Sequence, residues 1–210
     1  NVGNLECFSE GDSENYARKP RLSTKIQTLS LLNKIPLSIA CLANNHVADN
    51  LEKGFTNTIN ELDRLKIGYL GASKNFGEES KPVFKIINEV KICILNYVSQ
   101  DTDPMIPKDC KIQLNMLDRV KVLSDIKSYR NEVDYIVLVL HWGGIVENSY
   151  YPDWEQPKIA REFIDAGVDL IIGHHSHTIQ PYEIYKGKYI FYSIGNFCFD
   201  NILHEEKLYS

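Results

Sequence analysis

The sequence predicts a single α/β domain over residues 1–210. Strand-length apolar runs alternate with segments whose apolar residues recur at helical spacing. Two closely spaced pairs of runs have the look of hairpins, and no repeat, low-complexity tract or linker divides the chain. Residues 37–42 form an uninterrupted apolar run of strand length. Phe55, Ile59 and Leu62 then mark a helix, with Gly54 and Gly68 as its expected brackets. Residues 67–71 supply a short strand, and residues 83–87 and 91–98 flank Asn88-Glu89 as a hairpin. A helix is expected over about 112–129, burying Leu117, Val120, Leu123 or Ser124, and Ile126 or Lys127 on one stripe. Residues 134–140 make a β-branched strand that ends at His141. Residues 154–166 read as a helix with Gly167 at its C-cap, and residues 168–172 as another buried strand. Residues 182–185 and 189–193 close the pattern as a second hairpin about Lys186-Gly187.

Composition narrows the function classes. Hydrophobic residues make up 43% and charged residues 24%, which is globular and neither disordered nor fibrous. The net charge of −5 gives no electrostatic case for nucleic acid, which requires a basic face. The cluster Arg18, Lys19 and Arg21 reads as a solvated loop. No apolar run approaches the roughly 18–20 residues of a membrane-spanning helix. The amino terminus shows no signal-peptide pattern. These features place the chain in the cytoplasm; a cell-surface, membrane-anchored protein is the alternative if a preceding segment carries an anchor. The five cysteines are scattered, with no Cys-x-x-Cys pair, so neither a zinc ribbon nor a disulfide framework is indicated. Oligomeric state is left open.

The histidines carry the functional signal. Five of the six, His46, His141, His174, His175 and His177, fall just after expected strands. Ligands and catalytic groups gather at the carboxyl ends of strands in open α/β sheets. A lone histidine there is ordinarily a hydrogen-bonded loop or core residue; five arriving together point to a metal cage. Neutral imidazole binds Zn, Fe or Mn, and oxygen donors complete such sites. If the loop is extended, His175-Ser176-His177 presents two imidazoles on one side. Asn45 offers an amide oxygen beside His46. A pair of divalent ions held this way would polarise a phosphoester and lower the pKa of bound water. No Gly-x-Ser-x-Gly, P-loop, His-Glu-x-x-His or Gly-x-Gly-x-x-Gly motif competes. No cysteine sits in an electropositive context that would favour Cys–His chemistry.

The motifs Asn4-Leu5-Glu6, Leu42-Ala43-Asn44-Asn45-His46 with Asp49, His141-Trp142-Gly143, Gly173-His174-His175-Ser176-His177 and Tyr192-Ser193-Ile194-Gly195-Asn196-Phe197 occur in that order. The series resembles the bacterial capsule-synthesis family of the CapA or poly-γ-glutamate synthesis type, and it spans residues 4 to about 200. The resemblance implies a metallophosphoesterase-like αββα sandwich, of which this chain would lack the first strand and its metal-binding aspartate. It implies metal ligation by Asn45, His46, His141, His175 and His177, with Glu6 where an acidic residue would bridge two divalent ions (Mn, Fe or Zn). Asn45 and His46 would also act in catalysis. His174 would contact substrate or support its loop, and Asp49 would back up His46. Gln156 and Asn196 would hydrogen-bond loops at the rim.

The implied function is metal-dependent hydrolysis of a phosphoester or of a bond in an anionic polymer. Alternatives are a non-hydrolytic role in polymer export or anchoring, and a carbohydrate- or partner-binding domain using Tyr150, Tyr151 and Trp154 as an aromatic platform. Aromatics at such a position ordinarily pack into a core or lid.

Overall fold

The computed structural model describes residues 1–12, 21–75, 77–198, 202–204 and 207–209, so Arg18 and Lys19 lie outside the described residues. Strands β1 (Val2–Asn4), β2 (Ile39–Cys41) and β3 (Gly68–Leu70) form a parallel sheet in that order. Between β1 and β2 runs the short helix α1 (Ile26–Leu29), and α2 (Leu51–Arg64) crosses from β2 to β3. A two-stranded ladder follows, β4 (Ala72–Ser73) against β7 (Gln113–Leu114).

The second sheet is larger. Its strands are β5 (Val83–Ile87), β6 (Val90–Val98), β8 (Tyr135–His141), β9 (Leu170–His174), β10 (Tyr182–Tyr185) and β11 (Lys188–Phe191), in the order β10-β11-β9-β8-β6-β5. β6, β8, β9 and β11 run parallel, and the hairpin partners β5 and β10 form antiparallel edges. Helices α3 (Arg119–Tyr129) and α4 (Gln156–Asp165) supply the crossovers into β8 and β9.

Alternation along the strands builds three apolar layers. On the outer face of the second sheet, Cys93, Leu95, Ile136, Leu138, Leu140 and Ile171 pack with Val122 and Ile126 of α3 and Phe163 of α4. Beneath α2, Ala40 and Leu42 meet Phe55, Ile59 and Leu62. Between the sheets, Ile39, Cys41 and Leu70 meet Ile94 and Val139. The order is helix, sheet, sheet, helix: an αββα sandwich. His141 follows Val137 and Val139 on the face of β8 turned toward the first sheet. His174 is its register partner on β9 and shares that face.

Four sequence expectations change. The helix expected from about residue 112 begins at Arg119, capped by Asp118, whose carboxylate accepts the Lys121 N–H at 2.8 Å. Leu114 is buried from a strand that pairs with β4 and Ile112 from the segment just before it, so neither belongs to the helix stripe. Within α3 the buried residues are Val122 and Ile126, while Val120 is exposed. Gly54 lies inside α2 and does not bracket it. A Cβ there would stand 2.4 Å from the Ser9 carbonyl oxygen, so the glycine admits the Ser9 strand-end loop. Finally, the 175–177 loop is not extended, since His175 has φ +107° and His177 φ +60°. Among the described residues, no helix is long and apolar enough to cross a membrane.

Candidate metal and catalytic site

Both sheets deliver their candidate residues to one end of the sandwich. Asn45 and His46 sit in the loop between β2 and α2, His141 ends β8, and His174 ends β9 with His175 just beyond it. The first loop is tied down by buried amides and one carboxylate. The Asn44 side chain donates to the Leu5 carbonyl at 2.9 Å and accepts the His46 N–H at 3.1 Å. Asp49 Oδ2 accepts the Leu22 N–H at 2.8 Å and lies 2.7 Å from His46 Nδ1. With Asp49 accepting, the proton of His46 resides on Nδ1 and the Nε2 lone pair is available. The supporting role expected for Asp49 therefore has a direct geometric basis.

At the centre, His141 Nε2 lies 3.0 Å from Asn45 Oδ1 and 3.1 Å from His175 Nδ1. The two rings meet edge to face at 4.9 Å. On the other side of the ring, Glu6 Oε1 comes within 3.4 Å of His141 Nδ1, and Asn4 Nδ2 donates to the same oxygen at 2.8 Å. His141 Nδ1 nevertheless makes no hydrogen bond among the described residues. Burial first, then repulsion from the neighbouring histidines His175, His174, His46 and His177, holds the His141 imidazole well below the ordinary histidine pKa. It is neutral at pH 7. Burial alone pushes His174 down to about 4.

His177 is set apart. Its ring lies 6.3 Å from that of His175, and its Nδ1 donates to Asn196 Oδ1 at 2.9 Å. Positive φ at both histidines is a strained arrangement for non-glycine residues and is held by surrounding bonds. Asn148 N donates to the Ser176 carbonyl at 3.0 Å. Thr178 Oγ1 donates to the Ser149 carbonyl, and Gln180 Nε2 donates to the carbonyls of Ser149 and Tyr151 at 3.1 and 2.9 Å. These bonds clamp the loop after β8 onto the histidine loop and bring Glu147 to 3.8 Å from His175 Nε2. Gln156 Oε1 accepts the Asp153 N–H at 2.6 Å, consistent with the loop-bonding role expected of it.

Asn45, His141 and His175 thus gather at one point, with Glu6 on the far side of the His141 ring, His46 and His174 close by and His177 at the rim. Among the described residues, no set of three or more His, Cys, Asp or Glu side chains forms a ready metal cage. The central trio is two imidazoles and an amide. Cysteine chemistry is remote: burial pushes the thiols of Cys41 and Cys93 up to about 12, and that of Cys7 up to about 11. Tyr150, Tyr151 and Trp154 are 72%, 72% and 79% exposed, so the core packing ordinary for such aromatics does not occur here. Sequence reasoning missed Glu147 and Asn96. The only signal for Asn96 was a lone polar residue in the apolar run of β6.

The sheet order and the helices on both outer faces make a metallophosphoesterase-like αββα fold. Two solved structures share the fold. One is a putative 5'-nucleotidase from Staphylococcus aureus in complex with alpha-ketoglutarate, at TM-score 0.59 and 15% identity. The other is a 5'-nucleotidase precursor from Thermus thermophilus, at TM-score 0.56 and 16% identity. Each match covers 80% of this chain and 34% of the other. The chain belongs to the bacterial capsule synthesis protein family (PGA_cap), whose description matches residues 1–201. It is 31% identical to the capsule biosynthesis protein CapA of Bacillus anthracis over 90% of its length, and 30% identical to the PGA biosynthesis protein CapA of Bacillus subtilis over 85%. A probable polyglutamine synthesis accessory protein of Mycobacterium tuberculosis is 26% identical over 92% of the chain. The chain spans about half the length of these relatives, 47% of each Bacillus protein and 53% of the mycobacterial one.

Proposed function

We propose that the chain is a metal-dependent hydrolase acting in capsule or poly-γ-glutamate biosynthesis, with a phosphoester or an end of the anionic polymer as its substrate. The convergence of His141 Nε2, Asn45 Oδ1 and His175 Nδ1 carries this reading. Two donors each about 2.1 Å from a common ion stand about 3.0 Å apart when they subtend the right angle of octahedral coordination. The observed separations of 3.0 and 3.1 Å match that spacing.

The tautomers of His141 point the same way. A proton on Nε2 satisfies Asn45 but leaves Nδ1 a buried acceptor without a donor. A proton on Nδ1 has Glu6 3.4 Å away without a hydrogen bond, and it turns the Nε2 lone pair against the Asn45 oxygen. A cation beside Nε2 would remove the second conflict, because the Nε2 lone pair and the Asn45 oxygen would both turn to it. The residues fit a divalent ion held by Asn45, His141 and His175, with His46, His177 and Glu6 as the remaining candidates.

Bound there, divalent ions would supply Lewis-acid polarisation of a phosphoryl oxygen and an acidified water at neutral pH. The protein's own groups do the rest. Burial keeps His141 neutral and able to donate its lone pair. Asp49 fixes the His46 tautomer, and Asn196 fixes the orientation of His177. His174, also neutral at pH 7, stands beside the centre, where it can hydrogen-bond substrate.

The test is phosphodiesterase activity on bis(4-nitrophenyl) phosphate with added Mn²⁺ or Zn²⁺, in wild type and in His175→Ala with His177→Ala. Activity that needs the metal and vanishes in the variant is expected. A protein that neither holds metal nor gains activity would falsify the reading. The exposed Tyr150, Tyr151 and Trp154 favour one second reading, a metal-independent binding domain for a neutral glycan. Retention of a neutral oligosaccharide by the metal-free double variant would support it.

A further inference from the structure

Asn96 occupies a position where strand alternation calls for an apolar residue. Ile92 and Ile94 precede it on the face of β6 between the sheets, and it is 2% exposed. Its amide bonds two different elements. Oδ1 accepts the Ala43 N–H at 2.8 Å, and Nδ2 donates to the Val139 carbonyl at 3.2 Å. Ala43 lies two residues before Asn45, and Val139 two residues before His141. A short loop of covalent and hydrogen bonds therefore runs from Asn45 through Ala43, Asn96 and Val139 to His141. It closes at the 3.0 Å approach of Asn45 Oδ1 to His141 Nε2. Gly71 leaves the room for it, since a Cβ there would stand 2.0 Å from Asn96 Oδ1 and 2.6 Å from Ala43 N.

We propose that Asn96 is a positioning residue: its amide spans the two sheets and sets the separation between the Asn45 and His141 sides of the metal site. The inference rests on the hydrolase reading above for what the site holds. The amide serves stability, because it satisfies the buried Ala43 N–H, but stability is not all that it supplies. An apolar residue would suit the inter-sheet layer, at the cost of leaving the Ala43 N–H without its partner. What the amide adds is a fixed distance between two loops that no ladder bond connects directly.

The experiment compares wild type, Asn96→Ala and Ile126→Ala, the last a core truncation in α3 remote from the site. Mn²⁺ affinity is measured by calorimetry at a temperature where each protein is folded, and imidazole ¹⁵N resonances are recorded without metal. Asn96→Ala is expected to weaken Mn²⁺ binding about tenfold or more and to move the His141 resonances, as loss of groups that orient ligands does. Ile126→Ala should lose comparable thermal stability while keeping affinity within about twofold and His141 unmoved. Unchanged affinity in Asn96→Ala, or equal loss in Ile126→Ala, overturns the proposal. If Asn96→Ala does not fold, Asn96→Asp serves instead. It keeps the acceptor for Ala43 and loses the donor to Val139, so a smaller fall is expected and no fall overturns the proposal. A wild type that binds no Mn²⁺ overturns the hydrolase reading itself. The His141 resonances then decide the role of Asn96 alone.

Discussion

Replacing Gly71 with alanine tests whether the close approach of the two sheets is as demanding as the geometry implies. The residue has φ +98°, and the added Cβ would stand 2.0 Å from Asn96 Oδ1, 2.6 Å from Ala43 N and 2.8 Å from Ala43 Cβ. Two of these atoms belong to Ala43, whose backbone is already bonded to Asn96, so relief requires the β2–α2 loop to move. A side chain at positive φ costs about 1–2 kcal/mol. Overpacking a tight site adds about 1–3 kcal/mol. Loss of the buried Ala43–Asn96 bond adds about 1–3 kcal/mol. Because these costs overlap, about 3–6 kcal/mol is expected, against a typical total stability of about 5–15 kcal/mol. Gly187→Ala is the control: φ is +77° but a Cβ would meet nothing within 4 Å, so only the backbone cost of about 1–2 kcal/mol applies. Urea denaturation reads both, as a fall in midpoint at unchanged slope. A Gly71→Ala loss below about 1 kcal/mol, or one no larger than that of Gly187→Ala, would refute the reasoning.

Two further expectations concern ionisable groups. His174 takes up a proton near pH 6.5 when unfolded but only near about 4 when folded, so metal-free protein should be fully stable above pH 6.5 and lose stability as pH falls toward 4. The loss reaches about 3 kcal/mol from this residue, and His141 acts in the same direction; urea midpoints from pH 7.5 to 4.5 should fall less steeply in His174→Gln, and an unchanged profile counts against the assignment. Asp169 accepts the Ile136 N–H at 2.9 Å, pairs with Arg130 at 2.6 Å and receives Lys188 at 2.5 Å, so Asp169→Ala should cost about 2–4 kcal/mol in the same denaturation assay.

The sequence read well where one physical signal dominated. The strands at 37–42, 134–140 and 168–172 are apolar because both faces are covered, and each appears within a few residues of its expected place. The hairpin at Asn88-Glu89 was legible from its turn, and both residues take the positive φ of a tight two-residue connection. The start of α3 was misread because Gln113 and Leu114 serve a strand pairing that depends on β4, a partner about forty residues away in the chain. Position after a strand placed His141, His174 and His175 together at one end of the larger sheet. It did not reveal that His177 turns to Asn196, because that follows from two left-handed backbone conformations. Asn96 was invisible for a related reason. A polar residue in an apolar strand acquires meaning only when the atoms it bonds are known.

Metal stoichiometry tests the central claim most directly. Wild type and His141→Ala with His175→Ala would be stripped with chelator, titrated with Mn²⁺ and Zn²⁺, and assayed for bound ion, with circular dichroism as the check on folding. The account predicts that folded wild type binds divalent ion tightly and that the folded double variant loses it. A double variant that binds the ion as wild type does, or a folded wild type that binds none, would contradict it.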